Sequence, residues 1–178
     1  MLLVFHIGNA QNIAFNSKMI DPSLIASLSS DSSAQPAAST KASVISSMDK
    51  SSKEFKHYNR AMVSFGNEFK DAQDVKWGSN AEGFTASFTK ADTRNVIYYT
   101  KNGAQLYRLT SYSGDKLAAD IQQKVHDAFA GYKITWVDEV HHFNDLIYVV
   151  HLENDQNIKL VLVADDEITI YREYAKGR

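Results

Sequence analysis

One pattern restricts the fold more than any other: a helical stripe followed by four period-two segments, met twice in the same order. In the first round, Ser51-Ser52-Lys53-Glu54 fits a capping box, with Ser51 as the cap and Glu54 reaching back to its amide. Phe55, Tyr58, Met62, Phe65 and Phe69 then recur at spacings of three and four, so they share one helical face. Val75-Lys76-Trp77 opens the strands, and Phe84, Ala86 and Phe88 alternate with Thr85, Ser87 and Thr89. Val96–Thr100 and Gln105–Ser111 follow, separated by the hairpin dipeptide Asn102-Gly103.

In the second round, Asp115 is the expected helix cap, and Leu117, Ile121, Val125 and Ala128/Phe129 form the stripe. Gly131 stands where a helix C-terminal glycine belongs. Strands are expected over 132–143, 146–153, 158–164 and 168–174, with turns at Asn144-Asp145, Asn154–Asn157 and Asp165–Glu167. An offset of about 60 residues lays Phe69 on Phe129 and Trp77 near Trp136, and a similar offset lays Asn95-Val96 on Asn157-Ile158 and Leu106 on Ile168. Two units are too few for a solenoid. The expected fold is α+β, a tandem duplication of an α-β-β-β-β unit with antiparallel sheets and helices on one face. Repeat 1 covers about 54–113 and repeat 2 about 114–176.

The N-terminal third has another texture. Its first 50 residues carry only Lys18, Asp21, Asp31, Lys41, Asp49 and Lys50 as charged side chains, and hold both prolines, Pro22 and Pro36. Such a Ser/Ala-rich stretch has too little apolar surface to offset the entropy of ordering its backbone. Residues 11–53 therefore read as a flexible leader, with a short helical turn around Val44, Ile45 and Met48, and 54–178 as the folded domain. Residues 1–10 form a short apolar run followed by small Gly8 and Ala10, the pattern of a truncated secretory signal. The run is shorter than the ~20 apolar residues a membrane-spanning helix needs.

A helix ending Phe65-Gly-Asn-Glu-Phe69, then Asp71-Ala-Gln-Asp-Val-Lys-Trp77 and the aromatic strand Phe84–Phe88, resembles the opening of the PepSY-like, beta-lactamase-inhibitor-like (BLIP-like) proteins of Bacteroidetes. The second helix, Gly131-Tyr-Lys-Ile-Thr and three further strands continue the resemblance, which spans roughly residues 55–176. The sequence departs from that pattern at Lys116-Leu117-Ala118, which lacks a proline, and at Asp165-Asp166-Glu167, which lacks a glycine. The resemblance implies a periplasmic or secreted location and a pair of α-β repeats. It implies no established activity, because fold does not carry function with it.

Composition removes several function classes. There are 21 acidic and 19 basic residues, so the basic excess of a nucleic-acid-binding domain is missing. No cysteine is present, which excludes disulfides, thiolate metal sites and cysteine nucleophiles. No Gly-x-Ser-x-Gly elbow or glycine-rich phosphate loop occurs, and the carboxylates of 165–167 fall in a turn, where acidic residues are common. A non-enzymatic protein without a cofactor is expected.

Two surfaces remain as candidates. A turn at Asn144-Asp145 would set Asp138 opposite His151, with His142 on the same face, a set of ligand types that can hold zinc. Trp77 and Trp136, near-equivalent in the two rounds, are expected as core plugs beneath their helices. Tyr99, Tyr107, Tyr112 and Tyr171 are assigned to a partner-binding surface on the helix-free face, since tyrosines combine apolar area with a polar tip. The first reading is thus a secreted or periplasmic module that binds an envelope protein or peptide. The alternative is a small-ligand or metal-binding envelope sensor built on Asp138, His142 and His151. Oligomeric state is left open.

Overall fold

The structure, a computed structural model, describes residues 49–177 and, as backbone, Ser39–Thr40. The expected signal segment, the turn around Val44–Met48 and nearly all of the leader lie outside the described residues.

Helix α1 spans Lys53–Glu68. Its cap is Ser52 and not Ser51: the Ser52 hydroxyl accepts from the Phe55 amide at 3.0 Å, satisfying one of the free N–H groups of the first turn. Ser51 turns the other way, and both its amide and its hydroxyl donate to Asp49 Oδ1. Strands β2 (Lys76–Asn80), β3 (Gly83–Lys90), β4 (Thr93–Thr100) and β5 (Gln105–Ser113) follow. Asp115, expected as a helix cap, lies inside a single 3-10 turn over Gly114–Lys116. Helix α2 (Ala119–Ala128) starts from Ala118 with no side-chain cap. Strands β6 (Lys133–His142), β7 (Asp145–Glu153), β8 (Asn157–Ala164) and β9 (Glu167–Ala175) complete the domain.

Every strand pairs antiparallel with its neighbour in the chain, so β2 to β9 form one eight-stranded meander. The two-residue β1 (Ser39–Thr40) adds to the β2 edge. The halves are therefore not separate sheets: β5 and β6 are hydrogen-bonded, with Leu109 opposite Val140. The β3–β4 and β8–β9 turns are the residue pairs Ala91-Asp92 and Asp165-Asp166, all four with positive φ as a type I′ hairpin turn requires. Asn102-Gly103 sits in a longer loop, where the Gly103 amide donates to the Thr100 carbonyl at 2.8 Å. Gly103 has φ +74°, and a Cβ there would fall 2.1 Å from the His57 carbonyl oxygen, so α1 rests directly on the hairpin tip.

Both helices cover the same face of the sheet. Tyr58, Ala61 and Phe65 of α1 pack on Trp77, Phe84, Ala86, Phe88, Ile97 and Tyr99. The rings meet edge to face, with Tyr58 and Trp77 centroids 5.3 Å apart, the geometry that ring quadrupoles favour. Beneath α2 the buried core is mostly aliphatic: Val125 and Leu117 pack with Val137, Val150, Leu152, Val161 and Val163, and Tyr112 is its one buried aromatic. Three strands carry an extra residue against their partner, at Leu106 in β5, Thr135 in β6 and Tyr171 in β9. Each such bulge changes which face the following side chains take.

Candidate functional site

The face that neither helix covers is built by strand parity. Ile97 and Tyr99 point under α1, so Val96 and Tyr98 take the other side. Their cross-strand partners Leu109 and Tyr107 follow them, as does Val140 in β6. Val96, Leu109 and Val140 form a buried floor, with the rings of Tyr98 and Tyr107 stacked over it at 4.3 Å and 22°. Burial pushes the Tyr107 phenol far above its ordinary range, and the adjoining Tyr98 adds to the shift. The Tyr98 phenol is also raised by burial, with Arg94 opposing. On the β7–β9 side, Ile147, Val149 and Leu162 make a second floor with Tyr171 packed against it.

A polar chain crosses the middle of this face. Asp138 is only 6% exposed; it accepts from the Ser111 hydroxyl at 2.6 Å through Oδ1 and meets His151 Nε2 at 2.9 Å through Oδ2. The β6–β7 turn is Phe143-Asn144 and not Asn144-Asp145, so Asp138 stands opposite Val149. That displacement is an even number of residues, which preserves the face, and His151 reaches Asp138 diagonally. His142 stays apart: it is four residues along the strand from Asp138, about 13 Å at strand rise, and its ring lies against Phe143. Among the described residues no three His, Asp or Glu side chains come close enough to hold a metal ion. Ser111 donates to the aspartate and not to the histidine, so His151 has no hydroxyl to activate and the trio is not a nucleophilic triad.

The four tyrosines divide. Tyr107 and Tyr171 lie on the helix-free face as expected. Tyr99 and Tyr112 do not. Tyr99, 2% exposed, is stacked on Trp77 beneath α1, because the two-residue turn at Ala91-Asp92 sets it opposite core residue Phe84. Tyr112 faces α2 opposite Val137, and its hydroxyl donates to Glu139 Oε2 at 2.8 Å. Trp77 plugs the core under α1, as expected. Trp136 does not plug the other half. The extra residue at Thr135 leaves Ile134 facing the helix and turns Trp136 to the helix-free side, opposite His151 and 37% exposed. Tyr98 and Trp136 are therefore aromatics of this face that sequence reasoning missed, the first left out of the candidate set and the second assigned to the core. The first was accessible from the β3–β4 turn, whereas a bulge leaves no clear mark in a sequence.

On the covered face, the strip between the two helices is polar. Arg108 Nη1 approaches Glu68 Oε1 at 3.5 Å, and its guanidinium lies 6.0 Å from the centre of the Phe69 ring. Opposite Arg108, His141 pairs with Glu139. A recess of about 290 Å³ opens here, lined by Glu68, Leu106, Arg108, His141 and Phe143 among others.

One antiparallel sheet of eight strands, with two helices on a single face and the other face open, defines an α+β class of protein. Solved structures from Bacteroides share this fold. A DUF2874 family protein from Bacteroides ovatus matches over 65% of this chain and 85% of its own, at 14% identity and a TM-score of 0.55. A BLIP-like protein from Bacteroides fragilis matches over 67% and 88%, at 12% identity and 0.55. A Bacteroides eggerthii protein, provisionally described as periplasmic, matches over 66% and 87%, at 12% identity and 0.54. The resemblance seen in Phe65–Trp77 thus holds at the level of fold. No family model and no curated protein sequence matches the chain. No helix among the described residues is long and apolar enough to cross a membrane.

Proposed function

We propose that this protein is a non-enzymatic binding module of the periplasm or the extracellular space, and that it takes a protein or peptide on its helix-free sheet face. One observation carries the reading: Trp136 is exposed on a face that also holds the stacked Tyr98–Tyr107 pair and Tyr171, over a floor of buried aliphatic side chains. Aromatic residues around an apolar centre are the composition of protein interfaces. The buried Ser111–Asp138–His151 chain adds a fixed polar group at the middle of the face. The likeness to a BLIP-like protein and to one provisionally described as periplasmic supports the same reading. So does the apolar stretch ahead of Gly8 and Ala10.

We further infer that the two halves descend from a duplication. Phe69 and Phe129 end their helices with the same hydrogen bond, from the cap amide to the carbonyl four residues back, at 2.8 and 2.9 Å. Each then accepts from the amide three residues on, at 3.1 Å.

The test is capture from an envelope fraction of the source organism by wild type, Trp136→Ala, Tyr171→Ala and Val63→Ala. Val63 is exposed on α1 and serves as the control. A discrete partner held by wild type and the Val63 variant, and lost by both open-face variants, is the expected result. Equal recovery by all four proteins overturns the open-face reading.

A further inference from the structure

We propose that the recess between the end of α1 and the β6–β7 turn is a binding site for a carboxylate carried on an apolar group of about amino-acid size. Tyr107 of the stacked pair borders it, but the site does not depend on the function proposed for the aromatic face.

Two backbone irregularities, a bulge in β5 and the β6–β7 turn, bring apolar side chains to this one recess. Leu106 is the bulged residue of β5, and bulges re-aim side chains. Phe143 adopts φ +55°, a left-handed conformation that bulky residues rarely take, and its ring is 82% exposed. Both line the recess. Beyond its edge contact with the His142 ring, the exposed Phe143 ring gains the protein little packing in return for that strain. Such strain is the kind of local cost that gathers at binding sites.

The same recess has an underused cation. Arg108 has five N–H donors, yet its one close carboxylate is Glu68 at 3.5 Å, well beyond the 2.7–2.9 Å of a charge-assisted hydrogen bond. Its Nε is buried and donates to no group among the described residues. Glu68 is the last residue of α1, where the helix dipole disfavours an anion, and its side chain is partly exposed. It stands at the guanidinium as a loose internal substitute for a ligand carboxylate. His141, across the strand pair from Arg108, also lines the recess, with its Nε2 held by Glu139.

The charge and size narrow the ligand. Arg108 is the one permanent cation of the lining and Glu68 its one carboxylate, so the recess can pair a single anionic group once Glu68 gives way, which suits a monoanion and not a phosphate dianion. A volume of about 290 Å³ lies at the lower end for ligand cavities, room for one side chain and its carboxylate. The apolar group would lie between Leu106 and Phe143, and the carboxylate would displace Glu68 from Arg108.

The experiment is an NMR titration of the full chain with N-acetyl-L-phenylalanine, with a tetrapeptide ending in phenylalanine, and with the C-terminal amide of each. The acids are expected to bind at least about tenfold more tightly than the amides, the worth of one charge-assisted contact. Glu68→Gln should tighten binding of the acids severalfold, because the internal competitor is gone. Leu106→Ser and Phe143→Ser alter exposed side chains and should weaken it, and Arg108→Gln should abolish the preference for acid over amide. Tighter binding of the peptide acid assigns the site to a chain terminus, and tighter binding of the acetyl amino acid to a free small molecule; either order supports it. Equal affinity for acid and amide, no gain in Glu68→Gln, or no perturbation at Leu106 and Phe143 up to about 10 mM ligand overturns the proposal.

Discussion

The hydroxyls of Tyr58 and Tyr99 are buried against Trp77 in the core beneath α1, and neither has a hydrogen-bond partner among the described residues. In the unfolded chain both are solvated. Folding strips that water away without replacement, at a cost of about 1–3 kcal/mol per group. Phenylalanine keeps the ring and its edge-to-face contacts and removes only the stranded oxygen. Tyr58→Phe and Tyr99→Phe are therefore each expected to stabilise the fold by ~1–3 kcal/mol. With a urea m-value of ~2 kcal/mol/M, the midpoint should rise by roughly 0.5–1.5 M at unchanged m. Tyr112→Phe is the internal control, because its hydroxyl donates to Glu139 at 2.8 Å. Removing it leaves a carboxylate short of a donor and should lower the midpoint by a similar amount. The three variants make the same chemical change with opposite expected signs. If Tyr58→Phe and Tyr99→Phe lower the midpoint as Tyr112→Phe does, the accounting of buried hydroxyls is wrong.

Three other outcomes follow from the structure. Burial pushes the Tyr58 phenol up to about 12 from an ordinary 10, so the folded chain holds that proton more tightly than the unfolded one. Its contribution is whole below pH 10 and is lost as pH climbs from 10 to 12, so a stability profile over that window should fall less steeply in Tyr58→Phe. Ser52→Ala should cost ~1 kcal/mol in chemical denaturation through loss of the α1 cap, while Ser51→Ala stays within about 0.5 kcal/mol. Gly103→Ala should cost about 3 kcal/mol or more, from a strained φ and a clash with the His57 carbonyl, whereas Gly131→Ala, with φ +85° but open space around it, should cost only ~1–2 kcal/mol by thermal melts.

Periodicity made the element order legible, because it depends only on local burial. Both helical stripes and all eight long strands lie close to where alternation placed them. Which face each strand shows is a pairing property, and there the residues divide. Phe84 and Tyr99 are tied by a two-residue turn, so the burial of Tyr99 was available to parity counting. Asp138 and His151 were placed on a common face by a register wrong by two, since an even error conserves parity. Trp136 was lost to the extra residue at Thr135. Helix caps failed by one residue at Ser51 and altogether at Asp115, where a 3-10 turn took up the chain before α2. The pairing of Ser111 with Asp138 needed the β5–β6 register, which spans α2 and has no local signal.

The sequential order of strands has a consequence for how the chain assembles. No strand from β2 to β9 waits for a partner made later and far away; each closes on the strand made just before it. Between β2 and β9 the longest closure is the one across α2, which joins β5 to β6. A chain that emerges from its amino end, from the ribosome or through a membrane pore, can zip this sheet in order of synthesis. Most loop closures stay short, the condition for rapid folding of a β-rich chain. Among the described residues β9 is an edge strand with no further strand against it, and Arg172, Glu173 and Lys176 at its end place charge where stray pairing would begin.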